Sequence, residues 1–365
     1  MIQVLKNNIK RYLKKSMRGR EMLRLVQVFL KPITEIWNKF RRLLGKVEML
    51  YLEVTHSCDL RCVGCYTKAG KEKNDVLTLE EKKSVVRQAK KMGARFVSLS
   101  GSGEPLLYDD IFILIDYIKQ LQMGVIIYTN GTLLSKEVAD FLVSRSVQVY
   151  FKLYSLNPTI FNRMVGVKDA YQWVDYSYNY NGEFKTIKIP SGLKYLFDVH
   201  DTTGHHDLVK IEALITRINF SALLEVARFC KEVNLPLFLE TPVFNGRAVN
   251  NYKNIMLSSD EYQSLYYGLE KILGKKYLQT LRHYSCPVES NPVVWTNGEL
   301  GFCSSRKACI GNVRNTPLKI LFLKAKKLKR QEDCLISKQK VKSKYFCTCN
   351  SRQYYEAKHN IPTNY

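Results

Sequence analysis

From residue 48 onward the chain alternates short apolar runs with longer stretches of helical periodicity. The runs at 49–54, 96–99, 125–128, 148–153, 208–214 and 237–240 have the length and the β-branched or aromatic content of strands. Helix signals lie between them. Thr78 stands three residues ahead of Glu81, a capping-box spacing, and apolar residues recur at helical intervals over 111–121. A strand followed by a helix, repeated six times, predicts parallel pairing, because the crossover returns the chain to the same end of the sheet.

The expected fold is therefore α/β: an open, partial (β/α)6 barrel of TIM-like type, with chemistry at the C-terminal ends of its strands, where the loops gather. Residues 1–46 read differently. Leu5, Ile9, Leu13 and Met17, then Met22, Val26, Leu30, Ile33, Trp37 and Phe40, are spaced as two basic amphipathic helices broken at Pro32. Such helices suit packing on the body, an anionic membrane surface or an acidic partner. The stretch 171–207 is longer than one crossover needs and rich in Tyr, Phe and His, which suggests a substrate-facing insertion. After Ser258 come two helical stretches, then 292–303 with a hairpin turn at Asn297–Gly298, then a Cys-rich tail of low regularity. The domains expected are 1–47, 48–255 and 256–365.

Charge and cysteine usage narrow the reading. The 365 residues carry a net charge of +24, which invites a nucleic-acid partner, but the excess is concentrated at the ends. Residues 1–46 hold thirteen Lys or Arg against Glu21 and Glu35, and further basic runs lie at 319–330 and 338–344. Of the ten cysteines, three fall within eight residues and six lie between 286 and 349, a clustering typical of metal sites. No stretch reads as a signal peptide or is long enough to span a bilayer, so a reducing cytoplasm is expected, with residues 1–46 able to hold the protein at a membrane surface.

Directly after the first strand comes Cys58-Asp59-Leu60-Arg61-Cys62-Val63-Gly64-Cys65-Tyr66, with thiols at i, i+4 and i+7. One loop can present all three to a single iron–sulfur cluster, Gly64 permitting the tight bend. Three thiolates leave one iron open for a ligand, as a catalytic zinc keeps an open position. The loop resembles the Cys-x3-Cys-x2-Cys signature of the radical S-adenosylmethionine (SAM) superfamily, including the aromatic Tyr66. That resemblance implies a [4Fe–4S] cluster on Cys58, Cys62 and Cys65. It also implies SAM bound through its amino and carboxylate groups, and reductive cleavage to a 5′-deoxyadenosyl radical that abstracts hydrogen from a substrate. An electron donor such as flavodoxin or ferredoxin follows from the same chemistry.

Further stretches at successive strand ends resemble the same family. Ser100-Gly101-Ser102-Gly103-Glu104-Pro105 is similar to its Gly-Gly-Glu-Pro loop, with Ser102 where Gly is usual; Gly101, Gly103 and Glu104 would hold the SAM ammonium. Thr129-Asn130-Gly131 resembles its Thr-Asn-Gly turn. Lys152 and Ser155 occupy the place of ribose or carboxylate contacts, Ile215 that of adenine packing, and Glu240 that of a substrate-facing acid or base.

The tail, with Cys286, Gly298-x4-Cys303, Cys309-Ile310-Gly311-Asn312, Cys334 and Cys347-Thr348-Cys349, resembles the SPASM/twitch extension of such enzymes. Cys286, Cys303, Cys347 and Cys349 are the preferred ligands of a second [4Fe–4S] cluster. The last pair has one intervening residue where the family commonly has two, and Cys309 and Cys334 stay open as substitutes. A four-cysteine zinc site is the competing use of the same residues. Cys230 reads as a packed helix cysteine.

The reaction implied is hydrogen abstraction leading to net oxidation or dehydration of a small polar metabolite. Modification of a ribosomal peptide or a lipid is the alternative. A basic zinc-ribbon protein that binds nucleic acid explains the charge and the tail, but not a three-cysteine loop followed by Gly-Glu-Pro and Thr-Asn-Gly at successive strand ends.

Overall fold

The computed structural model describes residues 47–203, 207–243, 245–275, 291–303 and 306–338. The chain divides into two units, Met1–Val47 and Glu48–Tyr365. The helices expected over 1–46, and Cys286, Cys347 and Cys349, lie outside the described residues.

The body begins with β1 (Met49–Leu52), α1 (Leu79–Lys91), β2 (Phe96–Leu99), α2 (Ile111–Gln120), β3 (Gly124–Thr129), α3 (Lys136–Ser144), β4 (Gln148–Lys152) and α4 (Pro158–Val165). An antiparallel hairpin follows, β5 (Trp173–Tyr180) and β6 (Glu183–Pro190), then α5 (Ser191–Thr203), β7 (Val209–Leu214), α6 (Leu223–Glu232) and β8 (Leu237–Glu240). Strands β1, β2, β3, β4, β7 and β8 lie side by side in that order, all parallel. These are the six strands the apolar runs predict. The capping box is also present, since the Thr78 hydroxyl accepts from the Glu81 N–H while the Glu81 carboxylate accepts from the Thr78 N–H.

Alternation along the strands separates two faces. Val97, Leu99, Val125, Ile127, Val149, Phe151, Ile211 and Ala213 are at most 1% exposed and form the apolar layer beneath the helices. The opposite, inward face carries Tyr128, Tyr150, Lys210 and Phe238. Tyr128 stacks on Tyr150 with centroids 4.5 Å apart, Tyr150 lies 5.1 Å from Phe238, and Lys210 Nζ donates to Gln148 Oε1 at 2.9 Å. The next inward positions toward the C-terminal strand ends are Lys152, Glu212 and Glu240.

Within the stretch expected to face substrate, the β5–β6 hairpin packs on the helices, while Tyr171 at its start donates to the Asn130 carbonyl. The turn between β5 and β6, Asn181 (φ 55°) and Gly182 (φ 90°), has the two left-handed residues of a tight hairpin. Tyr176 packs on Phe197 of α5 and Phe229 of α6, and Glu232 of α6 takes a hydrogen bond from Tyr178 and an ion pair from Lys185. For the hairpin itself, these contacts account for Tyr176 and Tyr178 by packing.

After β8 come α7 (Gly246–Asn250), α8 (Tyr252–Ile255) and α9 (Ser259–Leu273). The expected hairpin is present as β9 (Val293–Val294) and β10 (Glu299–Cys303), turning at Asn297 and Gly298 (φ 84°). β9 pairs in parallel with β1, and β11 (Arg306–Asn312) pairs with β10, so the sheet extends to nine strands. The tail is more regular than its sequence suggests. α10 (Leu318–Lys338) buries Leu318, Leu321, Phe322 and Ala325, all at most 3% exposed, and their i, i+3, i+4, i+7 spacing was masked by the basic residues between them. Among the described residues no helix is long and apolar enough to cross a membrane.

Candidate active site

The cysteine loop leaves β1 and is held on several sides by backbone hydrogen bonds. Cys58 N–H donates to Gly70 O at 2.8 Å, Cys65 N–H to Cys62 O at 3.2 Å, and Arg61 and Val63 N–H groups to Val165 O and Met164 O at the end of α4. Gly64 does not make the left-handed bend its sequence suggested: its φ is outside that region, and its Cα packs closely on the Leu214 side chain at the end of β7.

The far side of the loop is clamped by α7. Arg247 Nε donates to Cys62 O at 3.1 Å and its terminal nitrogen to Ala69 O at 2.8 Å, while its own N–H reaches Cys65 O at 2.8 Å. Asn251 Nδ2 donates to Val63 O at 3.0 Å. Gly246, with φ 55°, fits against Tyr66 and Lys68, where a Cβ would meet backbone at 2.7 Å. Loop carbonyls that would otherwise lack partners are thus satisfied from 180 or so residues away.

All three loop thiols are half-buried. Burial pushes the Cys62 thiol up to about 12, against the opposing pull of Lys152. At Cys65 burial is outweighed by hydrogen bonds from Thr67 and the Ala69 backbone and by the charge of Arg247, so its thiol falls below the ordinary range. Among the described residues no three His, Cys, Asp or Glu side chains converge on one ion-sized point.

The loop after β2 packs directly on the cysteine loop. Gly101 has φ 112°, and at Gly103 an added Cβ would sit 2.2 Å from Ser57 O, so neither tolerates a side chain. Ser102, in the place of the usual glycine, donates its hydroxyl to the buried Glu53 carboxylate, and its carbonyl accepts from Thr67 at 2.7 Å. Burial pushes Glu53 up to about 7, the Ser102 bond opposing it.

Glu104 is 3% exposed and accepts from Thr129 Oγ1 and Asn130 N–H, both at 2.7 Å, and from Leu106 N–H at 3.2 Å. Burial still holds it near 7. A cationic ligand group beside it would supply the missing counter-charge.

The remaining predicted residues divide into two groups. Asn130 ties loops together, donating to Asp59 Oδ1 at 2.8 Å and accepting through its carbonyl from Tyr171 at 3.0 Å. Ser155 is fully buried and accepts from Asn157 N–H at 2.9 Å, opening the turn into α4; Ile215 is 1% exposed beyond β7. Tyr66 is half-buried beside Gly246.

Lys152 and Glu240 come together with Glu212, a residue the sequence reading passed over. Lys152 is the register partner of Glu212, and Glu240 that of Leu214 on the same strand. Glu240 is raised to about 8 by burial and by the hydrogen-bonded Glu212. Burial lowers Lys152, but Glu212 and Cys62 outweigh it and hold the ammonium above its ordinary value. Glu212 is 8% exposed and one carboxylate oxygen has no hydrogen-bond partner. Its signal was present: Lys210 and Glu212 interrupt an otherwise apolar parallel strand.

Cys303 ends β10 and Cys309 lies on β11, opposite Gly301; Cys334 lies in α10.

Residues 52–182 match the Radical SAM superfamily model, so this stretch of the chain is a radical SAM domain, a domain type that uses SAM and a [4Fe–4S] cluster. The three thiols, the glycine-lined approach and the buried Glu104 fit that pair of cofactors.

Among relatives, the probable GTP 3′,8-cyclase of Methanocaldococcus jannaschii is 24% identical over 250 residues, covering 68% of this chain and 74% of that one. Mycofactocin maturase MftC of Mycolicibacterium smegmatis is 25% identical over 236 residues, 64% of this chain and 55% of the maturase, so the match spans about half of that protein. The SAM-bound crystal structure of Streptococcus suis SuiB shares the fold, with a TM-score of 0.56 and 18% identity over 87% of this chain and 74% of SuiB.

Proposed function

We propose that this radical SAM enzyme removes a hydrogen atom from a small polar substrate seated at the ends of β4, β7 and β8, with net oxidation or dehydration as the outcome. The observation that carries this reading is the convergence of Lys152, Glu212 and Glu240 inside the barrel, next to the cysteine loop. An acid pair of one buried and one half-buried carboxylate beside a lysine is costly without a ligand to use it, and perturbed groups in a cleft mark functional sites. When SAM and the reduced cluster are bound, they supply hydrogen-atom abstraction. The chain's own residues do the rest. Glu104 and the Gly101 and Gly103 backbone hold the SAM ammonium, Lys152 and Ser155 lie toward its ribose or carboxylate, Ile215 toward adenine, and Tyr66 toward the cluster side. Glu240 faces the substrate and can take or return a proton through the hydrogen bond it shares with Glu212.

A second [4Fe–4S] cluster on Cys286, Cys303, Cys347 and Cys349 would give the electron left on the substrate a place to go. A peptide substrate is the second reading, favoured by the similarity to a maturase; the name of the archaeal cyclase favours a small polar molecule.

The test is anaerobic reconstitution with iron and sulfide, followed by measurement of 5′-deoxyadenosine from SAM under a strong reductant. A Cys58/Cys62/Cys65→Ala variant should make none. Iron-loaded wild-type protein that also makes none, with either a cyclase-type nucleotide or a peptide pool added, would overturn the reading.

A further inference from the structure

An open hollow lies beside the cysteine loop, lined by Val63, Arg163, Arg217, Asn251 and Lys253 among others. Its wall is the cluster loop itself. Val63 stands between Cys62 and Cys65, donates through its N–H to Met164 O at 3.0 Å next to Arg163, and accepts through its carbonyl from Asn251. The hollow therefore opens within two residues of two cluster ligands.

Its charge is one-sided. Arg163, Arg217 and Lys253 are all exposed. Arg217 is paired with Glu261 at 3.1 Å, whereas among the described residues Arg163 and Lys253 have no carboxylate partner. The groups proposed to face substrate, Lys152, Glu212 and Glu240, are not part of this lining.

Resting on the radical SAM reading, we infer that this basic hollow is where an acidic one-electron carrier protein docks to reduce the cluster. The proposed chemistry needs one electron for each SAM cleaved. It leaves the carrier, whose redox group is oxidised by one electron, and enters the cluster, which passes from the 2+ to the 1+ state. Electron-transfer partners meet through small, short-lived interfaces, so charge steering rather than buried area sets their encounter rate. Arg163 and Lys253, with Arg217 beside them, supply that steering, and Val63, which lines the hollow, belongs to the cluster loop itself.

The experiment compares two sources of electrons on the reconstituted full chain. Wild type and an Arg163→Glu/Lys253→Glu variant are each driven by reduced flavodoxin and, separately, by dithionite, which needs no docking. The flavodoxin-driven initial rate of 5′-deoxyadenosine formation should fall about 10-fold or more in the variant. The dithionite-driven rate should stay within about twofold of wild type. In wild type, added salt should slow the flavodoxin reaction steeply and leave the dithionite reaction flat. Equal flavodoxin rates in the two proteins would overturn the docking site. So would a flat salt profile in wild type, a result that does not depend on how well the variant folds. Absence of product from wild type under dithionite would instead bring down the enzymatic reading beneath it.

Discussion

At the scale of single residues, the site is organised around carboxylates kept out of water. Glu104 already takes hydrogen bonds from Thr129, Asn130 and Leu106, so its position does not depend on a ligand, only its charge does. Glu104→Gln keeps the shape and removes that charge. Losing one charge-assisted contact costs about 1.5–3 kcal/mol, so SAM affinity measured by equilibrium dialysis should fall on the order of 10- to 100-fold, and the melting temperature should fall as well, since the amide NH2 faces the N–H of Asn130 or of Leu106.

Glu240 makes a prediction in pH. Its folded-state pKa is raised from 4.5 to about 8 by burial and by Glu212. A carboxyl raised in this way stabilises the fold below its ordinary pKa and loses that contribution as pH rises through the folded value. Thermal melts of Glu240→Gln should therefore gain on wild type steadily between about pH 5 and pH 8. A gap that does not widen over that range would contradict the buried pairing.

Much at this scale was legible, because the three cysteines, Glu104 and Asn130 sit in contiguous motifs. Ser102 bonding to Glu53 was not, since the partners are 49 residues apart and only the fold joins them.

At the scale of elements, α7 does the work that the sequence concealed. Nothing local in Asn245-Gly246-Arg247-Ala248 announces a clamp; its meaning comes from the carbonyls of Cys62, Ala69 and Cys65. Arg247→Gln should leave secondary structure intact by circular dichroism but release iron to a chelator several-fold faster than wild type. Arg247→Lys, which keeps the charge and loses the fork, should fall between the two. Equal release from all three proteins would mean the clamp is idle.

The six strands were legible because each is an apolar run bounded by turns. The hairpin of β5 and β6 was visible only as an excess of aromatics. Where those rings point depends on Phe197 and Phe229, which come later in the chain.

At the scale of the molecule, the barrel and the C-terminal strands share one sheet. Parallel strand order followed from the connections, but the closure of β1 by β9 did not, because a two-residue strand carries too little pattern to read. The proposed second cluster belongs to this scale. If Cys286, Cys303, Cys347 and Cys349 hold it, a Cys347/Cys349→Ala variant should lose about half the iron and sulfide of reconstituted wild type while retaining 5′-deoxyadenosine formation. Unchanged iron would place the second cluster on other thiols or remove it.

The pairing of β1 with β9 also orders events during synthesis. Tyr51 N–H bonds to Pro292 O and Glu53 N–H to Val294 O, so β1 waits for partners about 240 residues downstream. At typical elongation rates of about 5–20 residues per second, that strand spends on the order of 10–50 s with one edge open as the ribosome works. The cysteine loop hangs from the end of that same strand. The loop's own clamp, from Arg247 and Asn251, is also made late, about 180 residues after the cysteines it holds.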